Sequence, residues 1–170
     1  MSSQLRVDKI IPVDGVPTGG GGGIIQVVQT IKKDQFTTAN NTSNYTDITG
    51  LSATITPKFN TSKIMVECHI YNSNSNAVNF FRVLRGSTFI EQPSGTSSSG
   101  AGFNAHGFAY FDHSFQDTTV IKILDSPATT SSTTYKVQMA VTGATGTINK
   151  FYNTSNYYGI STIQLYEVSA

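Results

Sequence analysis

Nowhere between Ile24 and Val168 do apolar residues recur at i, i+3, i+4 and i+7 over three turns, so the chain has no amphipathic helix with which to build a core. It has alternation instead. Over residues 63–71, Ile64, Val66, Cys68 and Ile70 form an apolar row against Met65, Glu67, His69 and Tyr71. Over residues 133–142, Tyr135, Val137, Met139 and Val141 repeat the pattern. Over residues 157–168, Ile160, Thr162, Gln164, Tyr166 and Val168 oppose Ile163 and Leu165. A period of two is that of a strand with two distinct faces. Further strands are expected over residues 24–31, 45–48, 51–56, 78–84, 89–91, 103–115 and 119–124. In the first of these, Ile25, Val27, Gln29 and Ile31 face one way. The breakers between them are Gly50, Pro57, residues 72–76, Gly86, Pro93, Pro127 and residues 143–146, with residues 37–44 as a polar loop. About eight to ten short strands at this spacing specify an all-β chain, a single antiparallel β-sandwich.

Residues 24–31, 78–84 and 119–124 carry apolar side chains on both faces. The outer face of an antiparallel sandwich is ordinarily solvated. Strands apolar on both sides therefore predict that another subunit covers an outer face.

A run of five glycines, Gly19, Gly20, Gly21, Gly22 and Gly23, separates this body from what precedes it. Such a run is flexible and tolerates close passage of neighbouring chains. Before it, Leu5, Val7, Ile10, Ile11 and Val13 lie in a stretch of strand-like alternation interrupted by Pro12, Gly15 and Pro17. A segment this short cannot bury those side chains by itself. The expected organisation is an extended anchoring arm over residues 1–18, a glycine hinge over 19–23 and a β-sandwich knob over 24–170.

Only 12% of residues are charged, about half the usual share, and the net charge is +1. That balance argues against nucleic acid or an acidic membrane as a partner. About a third of the chain is Ser, Thr and Asn, which suit turns and solvent-facing strand positions. Cys68 is the only cysteine, so no internal disulfide forms. The first residues lack the apolar core of a secretory signal, and no apolar run is long enough to span a bilayer. The expectation is synthesis and folding in a cytoplasm.

A search for chemistry yields little. The glycine run has no Gly-Lys-Ser/Thr after it and opens a strand, unlike a phosphate-binding loop. His69, His106 and His113 have no metal-ligand spacing, and no calcium loop occurs. His106, Asp112 and His113 lie close in sequence, but neither a Gly-x-Ser-x-Gly elbow nor His-Glu-x-x-His accompanies them. No catalytic residue, cofactor or metal is expected. The remaining functional candidates are aromatics in or beside polar loops: Tyr71, Phe103, Tyr110, Tyr152 and Tyr157. These suit contact with sugar or protein at an outer surface.

Several stretches together carry a resemblance. They are Ser2-Ser3-Gln4-Leu5-Arg6-Val7-Asp8-Lys9-Ile10, then Gly15-Val16-Pro17-Thr18 with the glycines, then Ile24-Ile25-Gln26-Val27-Val28-Gln29-Thr30. Tyr45-Thr46-Asp47-Ile48-Thr49-Gly50-Leu51, Leu84-Arg85-Gly86-Ser87, Leu124-Asp125-Ser126-Pro127-Ala128-Thr129-Thr130 and Gly159-Ile160-Ser161-Thr162-Ile163 extend it over most of the chain. The chain resembles small virion structural proteins of marine tailed phages, of the cyanophage type, tail-fibre-like or decorating. The order of strands also looks like the jelly roll of the trimeric C1q and tumour-necrosis-factor kind. The resemblance implies a non-enzymatic homotrimeric knob, with the arm docked on capsid or tail proteins and the loops facing a host-surface glycan or protein. It also implies assembly in an infected cytoplasm and residence in the virion. A soluble carbohydrate-binding, lectin-like module is the alternative, and a hydrolase using His106, Asp112 or His113 is the third reading.

Overall fold

The computed structural model describes residues 23–39, 44–94, 104–111, 115–151 and 157–169. Residues 1–18 of the expected arm and Gly19 to Gly22 of the hinge lie outside the described residues, as do Phe103, Asp112, His113 and Tyr152. Eleven strands are described: β1 (Ile24–Lys32), β2 (Phe36–Thr38), β3 (Thr46–Ile55), β4 (Lys63–Asn74), β5 (Val78–Arg85), β6 (Thr88–Phe89), β7 (Gly107–Tyr110), β8 (Phe115–Asp125), β9 (Thr133–Val141), β10 (Gly146–Ile148) and β11 (Ser161–Val168).

They form two antiparallel sheets that pack face to face as a sandwich. In the first sheet β1 pairs β11, β11 pairs β4, and β4 pairs β8 along its other edge. Beyond the end of β11, the far end of β4 pairs β10, which pairs β2. The second sheet runs β3-β9-β5, with β6 and β7 both pairing β5.

Alternation decides which side chains meet. Ile64, Val66, Cys68 and Ile70 of β4 are fully buried, as the period of two requires, and Ile163 and Leu165 of β11 join them. Phe81 and Val83 of β5, Tyr135, Val137 and Met139 of β9, and Leu51 and Ile55 of β3 close over them from the second sheet. Burying a side chain of this size contributes about 1.5–3 kcal/mol each. Where the sandwich ends, charged groups tie the layers. Arg85 of β5 donates to both carboxylate oxygens of Asp125 on β8 at 2.6 and 2.7 Å, and the buried Tyr135 hydroxyl donates to Oδ2 at 2.6 Å. Burial, together with the Asp125 carboxylate, pushes the Tyr135 phenol well above its ordinary range.

Four local expectations are corrected. Gly50 does not end a strand: with φ near +81° it forms an irregularity between Asp47 and Ser52, and β3 continues past it. Asn72, Ser73 and Asn74 are not a turn but the last part of β4, fully buried. Gly146 opens β10 by pairing with Thr38, and a Cβ there would lie 2.4 Å from Met139 Cε and 2.7 Å from Asn79 Oδ1. Thr37 and Thr38, read as the start of a polar loop over residues 37–44, instead pair with β10 together with Phe36. At the chain end, β11 begins at Ser161, and Tyr158 makes only an isolated bridge with Lys150. In β1 the register shifts between Ile24 and Gln26, which turns Ile24 outward with Val27 and Ile31.

Candidate functional site: an aromatic cleft at one pole

The long β4 extends beyond β11, and a buried polar lattice makes that extension affordable. Asn72 Nδ2 donates to Ile70 O at 3.0 Å, Thr119 Oγ1 at 3.1 Å and Asp117 O at 3.2 Å. Asn79 Nδ2 donates to Asn72 Oδ1 at 3.0 Å and to Ser73 O at 3.2 Å, while its Oδ1 accepts from Asn74 Nδ2 at 2.8 Å. Ser73 Oγ and Thr147 Oγ1 lie 2.7 Å apart, so one hydroxyl donates to the other and the second donates to Lys150 O, which is within hydrogen-bond distance of both. Asn149, at φ near +60°, donates through Nδ2 to Lys32 O and Asp34 O and accepts from Ser161 Oγ at 2.7 Å. Each buried amide is thereby satisfied, which a buried polar group must be to avoid a cost of about 1–3 kcal/mol.

On this lattice sits an outward-facing cleft of about 320 Å³, lined by Phe115, Gln116, Phe151 and Tyr157. Phe115 and Tyr157 are 61% and 60% exposed. The Phe151 and Tyr157 rings meet edge-on at 6.0 Å, and Phe151 N–H donates to Tyr157 O at 3.0 Å. Tyr71 stands beside it. Its hydroxyl donates to Gln116 Oε1, and its ring lies so close to Gly159 that a Cβ there would fall 2.4 Å from Cγ. Among the described residues none that lines the cleft is charged.

Of the five aromatics singled out from sequence, Tyr71 and Tyr157 therefore come together. Tyr110 lies elsewhere, on the outer face of β7 in the second sheet, in a row with Val78 of β5, next to the Phe80–Phe108 pair with centroids 6.1 Å apart. Phe115, Gln116 and Phe151 were not singled out. Phe115 closes a run of alternating aromatics and Phe151 adjoins Tyr152, and that clustering was the signal available.

The other titratable candidates are engaged structurally. His106 Nδ1 accepts from Val83 N–H at 2.9 Å and Nε2 donates to Ile90 O at 2.7 Å, so both ring nitrogens tie β5 to the segment after β6. Burial lowers its pKa below 6.5, which favours the neutral ring. His69 pairs with Glu67 at 2.9 Å, and the hydrogen bond from His69 lowers the Glu67 pKa. Cys68 is buried, and burial pushes its thiol up to about 12. Arg82 stacks 4.0 Å over the Tyr45 ring and donates to Gln138 Oε1. Among the described residues no group of three or more His, Cys, Asp or Glu could hold a metal ion, and no helix is long and apolar enough to cross a membrane.

No protein-family model matches this chain, and no curated protein sequence matches it. Among solved structures, 98% of the chain aligns with 42% of a chain in the structure of the infectious bursal disease virus Gx strain, at 11% identity and a TM-score of 0.41. A second alignment places 85% of it on 37% of a chain in the crystal structure of the infectious bursal disease virus VP2 subviral particle, at 13% identity and a TM-score of 0.39. The chain thus spans less than half the length of either. Both scores lie below the level at which two chains are taken to share a fold, so the architecture rests on the strands described above.

Proposed function

We propose that this chain is a non-enzymatic structural protein of a tailed-phage particle. In this reading it is a homotrimeric β knob of jelly-roll type, held on the capsid or tail by residues 1–18. The observation that carries the reading is that the two poles of the first sheet differ. Gly23, where the arm joins, exchanges hydrogen bonds with Ser169 just beyond the end of β11, beside the start of β1. The aromatic cleft lies at the opposite end of β4. Tyr71 stands eight residues along the strand from Lys63, about 26 Å away at about 3.3 Å per residue. An anchor at one pole and a contact surface at the other is the layout of an appendage. The resemblance to phage virion proteins, which covers most of the sequence, supports the same assignment.

The test is removal of residues 1–18 in the phage genome. Particles are expected to lack the protein while the truncated chain still folds, and imaging of wild-type particles places it on tail or capsid. Incorporation unaffected by the deletion refutes the anchoring role.

The exposed aromatic rings of the cleft favour one alternative, a lectin-like module in which Phe115 and Tyr157 stack on a sugar. Binding on a glycan array that Tyr157→Ala abolishes supports it. An array without a ligand for the intact chain removes it.

A further inference from the structure

The first sheet turns outward a face that four strands share in register. Val27 of β1 pairs with Tyr166 of β11, Tyr166 with Met65 of β4, and Met65 with Leu124 of β8. Four apolar or aromatic side chains therefore cross the sheet in one row. Two positions along lies a polar row, Gln29, Gln164, Glu67 and Lys122, and two further on Ile31, Thr162, His69 and Val120. Val27, Val120 and Leu124 are 57%, 55% and 49% exposed. A solvated outer face would carry polar residues at these positions.

We infer that this face is the contact through which copies of the chain associate, with the rotation axis running along the strands. This deepens the proposed function, because it says which surface makes the knob oligomeric. Two observations select a second copy as the occupant. Within the face the opposite charges already cancel: Lys122 Nζ lies 3.4 Å from Glu67 Oε2, and Lys63 sits at the rim. A strongly charged partner finds little counter-charge there, whereas copies of the same weakly charged face, with Lys63 kept at the rim, meet little repulsion. The size also fits. A block of four strands, eight residues long, measures about 26 by 19 Å, or about 500 Å². Three such faces gathered round the axis of the proposed homotrimer withdraw about 1,500 Å² from solvent, inside the range of about 1,200–2,000 Å² typical of specific interfaces.

Among the described residues the second sheet offers no equal surface. Its centre carries Arg82, Gln138, Lys136 and Asp47 in mutual hydrogen bonds, and its exposed apolar residues Phe108 and Tyr110 are confined to β7. An axis along the strands also brings every Gly23 to the same pole, so the arms of all copies leave toward one surface.

The experiment compares the mass of the full chain in solution with that of V27E/L124E and of F108S/Y110S. The intact chain and F108S/Y110S are expected to sediment as the same oligomer. V27E/L124E is expected to fall to 18.3 kDa with unchanged circular dichroism. An intact oligomer in V27E/L124E, or dissociation only of F108S/Y110S, overturns the interface while leaving an oligomeric knob. A monomeric intact chain overturns both. Should V27E/L124E fail to fold, V27C/L124C decides under mild oxidation. The two residues stand on opposite edges of four strands, about 14 Å apart, beyond the reach of a bond within one chain of about 7 Å. A covalent ladder between chains supports the inference, and its absence from the folded protein overturns it.

Discussion

Asn79 is the residue whose loss should be felt furthest. Its side chain is fully buried and joins three neighbours: it donates to Asn72 Oδ1 and Ser73 O and accepts from Asn74 Nδ2. Asn79→Ala removes all three bonds at once. Ser73 O keeps a contact with Thr147 Oγ1 at 3.4 Å, so the heaviest loss falls on Asn72 Oδ1 and Asn74 Nδ2. Leaving a buried polar group without its partner costs about 1–3 kcal/mol, which makes about 2–6 kcal/mol for the pair. Against a total stability of about 5–15 kcal/mol this is a large fraction. At about 2–4 °C per kcal/mol for a chain of this size, the melting temperature falls by roughly 4–24 °C. Urea denaturation gives the free energy from the midpoint at constant slope. A loss below about 1 kcal/mol refutes the reasoning, for it means the amides re-pair or hydrate freely and the lattice does not hold the end of β4.

Three further outcomes follow from single sites. His106 has a folded pKa below 6.5, because burial disfavours the imidazolium. The unfolded chain therefore binds the extra proton between the folded value and 6.5, and stability falls as pH drops through that window and is fully present above it. Urea midpoints between about pH 5 and 8 should show this slope, and His106→Asn should flatten it while lowering stability throughout; an unchanged slope refutes the assignment. Cys68, its thiol pushed up to about 12 by burial, should resist thiol reagents at about pH 8 and react fully in denaturant; labelling of the folded protein would show that β4 opens. Gly159→Ala sets a Cβ against the Tyr71 ring, at an expected cost of about 1–3 kcal/mol for overpacking. The change should also displace Tyr71 from Gln116, read as altered tyrosine fluorescence, and a variant as stable as the parent refutes the ring contact.

The sandwich was legible because its strands are half buried and so advertise a period of two. The apolar row of β4 and that of β9 both lie in the core where alternation put them. What was not legible depended on partners distant in sequence. Asn72-Ser73-Asn74 has turn-forming composition, yet it continues a strand because Asn79, Thr119, Thr147 and Lys150 O supply its hydrogen bonds. Gly146 looks like part of a turn and is instead a glycine because Met139, Asn79 and Val141 leave no room for more. The cleft was half visible: Tyr71 and Tyr157 stood out as aromatics among polar residues. Nothing local shows that Gln116 lies beside Tyr71, a contact made by β4–β8 register. Gly50 misled for a related reason, since a positive φ serves a bulge within a strand as readily as a turn after one.

The β1–β11 ladder beside Gly23 has a mechanical consequence. A pull at Gly23 directed along β1 is borne by its ladder with β11, which reaches from Ile24–Val168 to Lys32–Ser161. Force in that direction is shared by the ladder at once, as in tearing a seam lengthwise, instead of opening one hydrogen bond after another. The same ladder pulled sideways at Lys32 would part pair by pair. If residues 1–18 hold the knob as proposed, a load entering at Gly23 along β1 meets that ladder in its strong direction.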